Sequence, residues 1–487
     1  MNLKKRTANG MIWISLLQIS NQGISFFKNI ILARLLSPED FGFFGIATIL
    51  FSFFDVFSTT GIRAALIQKK GEISSYINSA WTAEFIRGST VGVLIFISAP
   101  FVMSFLNLHN RSSFEIIAFG SVGLAFFFQT LTSITTVALE KELLFSKYFL
   151  YQMAGNVVDV SVGIGLAFYW HNALALIVGF ISGHFVRFMV SYFLVHLKLK
   201  FEFDFNKIKQ LINFGKWVFF SNIISFFSIQ LDSVVVNKFL GLKTFGIYQM
   251  GRTISNIPMQ QMSGIIGTVT FPALAKMQDS FEKLEFTIIK LLRLLLYFLI
   301  PIAFFVSIYS TELVEVLLGK KWERVASVLP ILIWTGAIRP ISSIFETFFY
   351  SVGRPKFGTV SQFLRFIAFS LLLLPLLKTG GMIGVASSVL IGNAIGLSYL
   401  VYISINQFKM KIAKLFNCIL FPTLISTLLS FSILFIKDIN IFKTAYASIP
   451  IVVCAFLLYI LISLLFGRFF NYNIKAELKE TLLILKK

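Results

Sequence analysis

Apolar runs of about 20 residues, each long enough to cross roughly 30 Å of hydrocarbon as a helix, recur from Met11 to Phe466 with short loops between them. No soluble core could hide them. Of 487 residues, 56% are hydrophobic and 58 are Phe, and the mean hydropathy is +0.82. Lipid must be the solvent, and helices satisfy the backbone groups of such segments within a single stretch of chain.

Segmentation by apolar run predicts an all-α integral membrane protein of about fourteen helices. The first six lie near 11–33, 41–60, 80–106, 114–138, 148–169 and 173–195. The next six lie near 213–236, 246–270, 286–308, 329–350, 358–377 and 382–403, and two more near 415–436 and 444–466. The expected organisation is an N-terminal six-helix lobe (1–196), a cytoplasmic amphipathic linker (197–212), a pseudo-symmetric six-helix lobe (213–405), and two extra helices with a tail (406–487).

A repeated motif supports the two lobes. Arg34-Leu35-Leu36-Ser37-Pro38-Glu39-Asp40-Phe41-Gly42 reappears 204 residues later as Lys238-Phe239-Leu240-Gly241-Leu242-Lys243-Thr244-Phe245-Gly246. The same offset pairs Asn9 with Asn213, Trp13 with Trp217 and Ile19 with Ile223. Internal repeats in a membrane protein point to a transporter whose substrate sits between the repeats.

Basic residues give the orientation. With the N-terminus inside, 27 of the 43 Lys and Arg fall in cytoplasmic segments, 10 in outward loops and six within helices. That bias follows the positive-inside rule and places both termini in the cytoplasm. It also accounts for the net charge of +21 without nucleic acid, since no basic run is dense. Lys198, Lys200, Lys207, Lys209 and Lys216 mark the linker as a segment lying on anionic membrane lipid. Lys4, Lys5 and Arg6 precede an apolar run too long for a signal peptide and without a cleavage site, so it is read as a retained helix.

No phosphate-binding loop, nucleophile elbow or His-Glu-x-x-His occurs, and two cysteines, Cys418 and Cys454, offer neither a disulfide framework nor a metal spacing. The chain is expected to be no enzyme and to need no cofactor beyond coupling to H+ or Na+. Gly88 with Gly92, Gly179 with Gly183, and Gly392 with Gly396 give small residues at the spacing that lets helices approach closely.

Ionisable residues within the helices are costly and mark function. Lys28 on the first helix and Asp232 on the seventh are equivalent under the 204-residue offset, which suggests a contact between lobes that forms and breaks, with satisfaction inside each lobe as the alternative. Arg252, Asn256 and Gln260 form a polar stripe on the eighth helix, where Pro258 is a candidate bend or gate. Asp55 and Asp159 have no basic neighbour at helical spacing, and His184 lies one turn before Arg187; these three are candidates for ion coupling. Glu84 and Arg87 read as an intrahelical pair and no more.

Thr7-Ala8-Asn9-Gly10-Met11-Ile12-Trp13, the Leu-Ser-Pro-Glu-Asp-Phe-Gly stretch ending at Gly42, and Phe271-Pro272-Ala273-Leu274-Ala275-Lys276-Met277-Gln278 closely resemble bacterial polysaccharide exporters. These are the Wzx-type flippases, in the branch of colanic acid and teichuronic acid exporters, within the multidrug/oligosaccharidyl-lipid/polysaccharide superfamily. The resemblance implies two lobes that open alternately to either side of the inner membrane. It implies a cargo of undecaprenyl-pyrophosphate-linked oligosaccharide, with a polymerase and glycosyltransferases as partners in lipopolysaccharide or exopolysaccharide biosynthesis. Related lipid II flippases place basic residues on helices 1, 2 and 8 of the cavity. Lys28 and Arg252 match helices 1 and 8, and helix 2 carries Asp55 instead. A cation-coupled multidrug exporter of the same superfamily is the alternative. A membrane-embedded glycosyltransferase or ligase is a third reading, for which the longest outward loop, Tyr309 to Leu329, supplies Glu312, Glu315 and Glu323 but no His.

Overall fold

The computed structural model describes residues 3–69, 74–108, 112–195, 200–265, 280–438 and 445–466, with Leu274 and Met277. Among the described residues every regular element is helical. The chain divides into two compact units, Met1–Gln249 and Met250–Lys487.

The first unit contains α1 (Leu3–Leu35), α2 (Pro38–Ser58), the short α3 (Ile62–Gln68), α4 (Ser74–Phe105), α5 (Ser113–Gly120), α6 (Val122–Lys141), α7 (Phe145–Trp170) and α8 (Leu174–Leu194). It also holds most of α9 (Phe205–Ile265). The predicted helix at 114–138 is two helices, α5 and α6, meeting at Ser121, which caps one and opens the other.

The repeated motif has a structural reason at both copies. Ser37 Oγ accepts from the Asp40 N–H at 3.2 Å while Asp40 accepts from the Ser37 N–H at 2.9 Å, and Pro38 occupies the first turn, where its missing N–H leaves nothing unsatisfied. The second carboxylate oxygen of Asp40 accepts from the Ala173 N–H at 2.8 Å, tying the start of α2 to the start of α8. In the second copy Gly241 stands where the first has Ser37, and the helix breaks there with φ +81°, a conformation that glycine adopts without a Cβ penalty.

The two copies meet. A Cβ on Gly42 would lie 2.3 Å from the Leu242 carbonyl oxygen, and one on Gly246 would lie 1.8 Å from that of Pro38. Phe245 is fully buried beside Gly45. The Phe-Gly pair is thus a small-residue contact between α2 and the second arm of α9.

The second unit contains α10 (Phe281–Ile308), α11 (Ser310–Leu318), a 3-10 segment (Lys320–Ser327), α12 (Leu329–Ser351), α13 (Lys356–Asn406), α14 (Ile412–Asp438) and α15 (Ala445–Phe466). α10 packs on α12 and α14 around an apolar cluster that includes Leu292, Leu299, Phe345 and Phe348. α13 runs for 51 residues and is broken at Gly381, φ +53°.

Where the residues are described, the predicted helices fall mainly on helical segments. Among the described residues nine helices are long and apolar enough to cross a membrane, or ten if the bent pair Lys320–Ser327 and Leu329–Ser351 is one span. Two of those nine, Asn222–Ile257 and Lys356–Asn406, each contain one of the glycine breaks, where the sequence reading placed two helices apiece. Their outer faces are apolar: Phe193, Leu371 and Phe431 are each at least 70% exposed. That is the surface a bilayer covers, and the chain is a multi-pass membrane protein.

Between α8 and α9 the chain has no regular structure at 200–204 and is helical from Phe205. Glu202 anchors it, accepting from Lys207 Nζ at 2.8 Å and from Asn78 at the start of α4, while its N–H donates to Thr82. The Lys207 ammonium holds the Glu202 carboxyl below its ordinary pKa, and Glu202 holds Lys207 above its own.

Candidate functional site

The first unit encloses a cavity of about 870 Å³ among α1, α2, α4, α6, α7 and α8, with α3 beside it. It is lined by amides (Asn21, Gln129, Gln152, Asn156), by threonines and two tyrosines, and by three arginines with three carboxylates.

Most of these charges are paired across helices. Arg87 on α4 donates to Asp55 on α2 at 2.8 Å and to Glu84 one turn earlier at 3.0 Å, and its Nε donates to Ser58 Oγ at 3.2 Å. Glu84, only 3% exposed, also accepts from Thr60 Oγ1 at 3.0 Å, and Asp55 accepts from Gln129 at 3.3 Å. The Glu84–Arg87 pair is thus the hub of a network reaching three helices, more than the local pair expected from spacing. Its signal in the sequence was Asp55, a carboxylate within an apolar helix with no partner on that helix.

On α3, Arg63 bonds Glu140 of α6 at 2.5 Å. Burial opposes its charge, but the adjacent Glu140 carboxylate outweighs that and holds the guanidinium above its ordinary pKa. The pair pins α3 at the cavity edge.

Lys28 donates to both carboxylate oxygens of Asp159 on α7, each at 2.7 Å. The expected Lys28–Asp232 contact is absent: Asp232 accepts from the Ser233 N–H at 2.7 Å and from Tyr248 Oη at 2.8 Å. Each charge is satisfied inside its own lobe, the alternative the sequence left open. With its ammonium bound to Asp159, Lys28 is not available here to meet an anion.

Arg187 is held differently. α7 and α8 approach so closely that a Cβ on Gly155 would sit 2.2 Å from Arg187 Cγ and one on Gly183 2.9 Å from the Gly155 carbonyl oxygen. Through that notch Arg187 reaches Asn156, which accepts from its Nη2 and donates in turn to Asn21. Arg187 Nε is buried without an acceptor. His184, one turn earlier, lines the same cavity between Phe51 and Phe180.

Of the other expected site residues, Arg252 and Asn256 are half-buried on α9 within the second unit. The side chains of Pro258 and Gln260 lie outside the described residues, as do those of Thr7 to Asn9 and most of the Phe271 to Gln278 stretch. Among the described residues no group of three metal-ligating side chains occurs.

Residues 31–327 match the model of the family described as polysaccharide biosynthesis protein. The chain belongs to that family. The lipopolysaccharide biosynthesis protein WzxC of Escherichia coli K12 is 24% identical over 398 residues, covering 80% of this chain and 78% of that one. The teichuronic acid biosynthesis protein TuaB of Bacillus subtilis 168 is 20% identical over 369 residues, 75% of each chain. Among solved structures, the lipid II flippase MurJ in an inward closed conformation superposes with a TM-score of 0.75 at 17% identity, covering 94% of this chain and 99% of that one. An inward-facing multidrug resistance MATE family transporter of the MOP superfamily gives 0.61 at 14% identity, over 81% and 98%. This member of the polysaccharide biosynthesis protein family therefore has the fold of that transporter superfamily.

Proposed function

We propose that the chain is a flippase that moves undecaprenyl-pyrophosphate-linked oligosaccharide repeat units across the bacterial cytoplasmic membrane by alternating access. The observation that carries this reading is a large cavity lined by amides, hydroxyls and paired charges inside a helical unit whose outer surface is apolar. A pyrophosphate-sugar head group is polar and anionic, and its transfer into hydrocarbon without hydrogen-bond partners is prohibitive. Amide, hydroxyl and charged side chains replace the water it loses, while its lipid tail stays in the bilayer. The names of the curated relatives, which refer to lipopolysaccharide and teichuronic acid biosynthesis, support the cargo class.

In this reading both termini are cytoplasmic and the α6–α7 turn faces the cytoplasm, where glycosyltransferases assemble the repeat unit and a polymerase acts on it after transfer. A proton or sodium gradient drives the cycle, with Asp55 as the coupling carboxylate because it shares Arg87 with Glu84. The test is transport of a lipid-linked oligosaccharide in vesicles that hold the purified chain, read as protection of the sugar from an external glycosidase. Gradient-dependent protection is the expected result. Export of a small organic cation without protection of the sugar would instead make the chain a multidrug exporter.

A further inference from the structure

We propose that the α7–α8 wall of the first unit's cavity is a phosphate-class anion site with Arg187 as its binding cation. This deepens the flippase reading and rests on it for the ligand's source.

Arg63 has Glu140, Arg87 has Asp55 and Glu84, and Lys28 has Asp159. Arg187 makes no ion pair with any described carboxylate; its one bond in the structure is to the neutral amide of Asn156, itself tethered to Asn21. A guanidinium within a membrane unit is strongly destabilising unless its charge is compensated or faces water or a ligand. The chain nevertheless clears a path for it, with Gly155 where any Cβ would collide with the Arg187 stem. A purely structural arginine would be expected to end on a carboxylate, as the other three basic residues do.

The sign of the charge on each wall then orients the ligand. Asp159, the carboxylate that acts electrostatically on Arg187, is already bound to Lys28, so the three together carry one positive charge in excess. On the α2–α4 wall Arg87 faces two carboxylates, leaving one negative charge in excess. An anion is repelled by the second wall and drawn to the first. The planar fork of arginine fits tetrahedral oxyanions. A phosphate therefore sits at Arg187, and attached sugar hydroxyls extend toward Gln129 and Asp55, which line the other side.

The test uses the full chain in nanodiscs and follows its thermal unfolding midpoint, which rises with any ligand that binds only the folded state. The probes are sodium pyrophosphate, sodium chloride at equal ionic strength, and undecaprenyl pyrophosphate without sugar. Pyrophosphate and the lipid should both raise the midpoint, and chloride should not. Arg187→Gln should weaken pyrophosphate binding about tenfold or more, the factor that loss of one charge-assisted hydrogen bond predicts. Arg187→Lys should recover part of it. Because Arg187→Gln could fold poorly, Asn156→Asp is the second variant: it places a carboxylate on the guanidinium, should keep or raise basal stability, and should abolish the response. An undiminished response in Asn156→Asp, or an equal response to chloride, overturns the site. Response to pyrophosphate but not to the lipid overturns the head-group assignment in favour of free phosphate. Wild-type transport in vesicles, measured in parallel, separates the two claims. Transport without an anion response sinks the site alone, and an anion response without transport sinks the flippase reading.

Discussion

The interiors of the two units have gone opposite ways from a common repeat. The first holds a cavity of about 870 Å³ with six charged side chains on its walls; the second holds one of about 330 Å³ lined mainly by Phe304, Ile308, Trp334 and Phe431. At the 204-residue offset Glu84 and Arg87 correspond to Ile288 and Leu291, one a member of and the other packed against the second unit's apolar cluster. Two ion pairs described in the second unit, Glu346–Arg365 and Glu285–Lys414, link one carboxylate to one cation each. One helical frame therefore accepts either filling, because lipid-facing surfaces and small-residue contacts hold the frame whatever lies inside.

The largest expected effects set these two fillings against each other. Arg87→Ala should cost the first unit about 3–5 kcal/mol by stranding two carboxylates, and Phe348→Ala should cost the second about 3–5 kcal/mol by leaving a void. Thermal unfolding in detergent measures both. Rescue tells them apart: adding Asp55→Asn and Glu84→Gln should restore much of the first loss, whereas no neutralisation can refill the second. If Arg87→Ala were harmless, the polar network would not be what holds the first unit's walls.

Next comes the Lys28–Asp159 pair. A double-mutant cycle to alanine should give a coupling of about 1–3 kcal/mol, and the cycle of Lys28 with Asp232 should be additive within about 0.5 kcal/mol. The reverse ranking would restore the contact suggested by the repeat.

Overpacking where the two motif copies meet should be of similar or smaller size. Gly246→Ala puts a Cβ against the Pro38 carbonyl and should cost about 1–3 kcal/mol, while Gly23→Ala, with nothing within 4 Å, should be neutral within about 0.5 kcal/mol. Equal effects would remove the packing account of the Phe-Gly motif.

The smallest effect is electrostatic and lies at the linker. Glu202 and Asp204 have lowered pKa values, so their contribution is full above the ordinary carboxyl range, near pH 4, and is lost as pH falls through the lower folded values. Lys207 is raised, so its contribution is full below its ordinary value, about 10.4, and is lost only above that. Hydrogen exchange over residues 200–208 should be flat between about pH 5 and 10 after correction for intrinsic rates, and should speed up at lower pH. Glu202→Gln should remove the acid limb.

Much of the frame was legible because its causes are short-range. Apolar run length marks a span, Ser37-Pro38-Glu39-Asp40 is a complete helix start, and Gly179 with Gly183 permits a close helix contact. Two helix boundaries were legible as well, since α9 and α13 break at Gly241 and Gly381, inside the loops where the sequence divides each into two helices. Site residues were legible only as types. Asp55, Asp159 and His184 stood out as ionisable groups in apolar helices, but Glu84 was dismissed as local and Arg187 was noticed only as a neighbour of His184.

By itself the sequence determined the solvent, the helical class, the repeat and the family, all consequences of composition and local chemistry that need no knowledge of which helix lies beside which. Only the tertiary structure decided the partners. Lys28 meets Asp159 across 131 residues and not Asp232, Arg87 meets Asp55 across 32, and Arg187 is left on an amide across 31. A charge pairs with whatever the packing brings within about 3 Å, and in a bundle of similar apolar helices that neighbour is set by glycine notches and crossing geometry rather than by spacing along the chain.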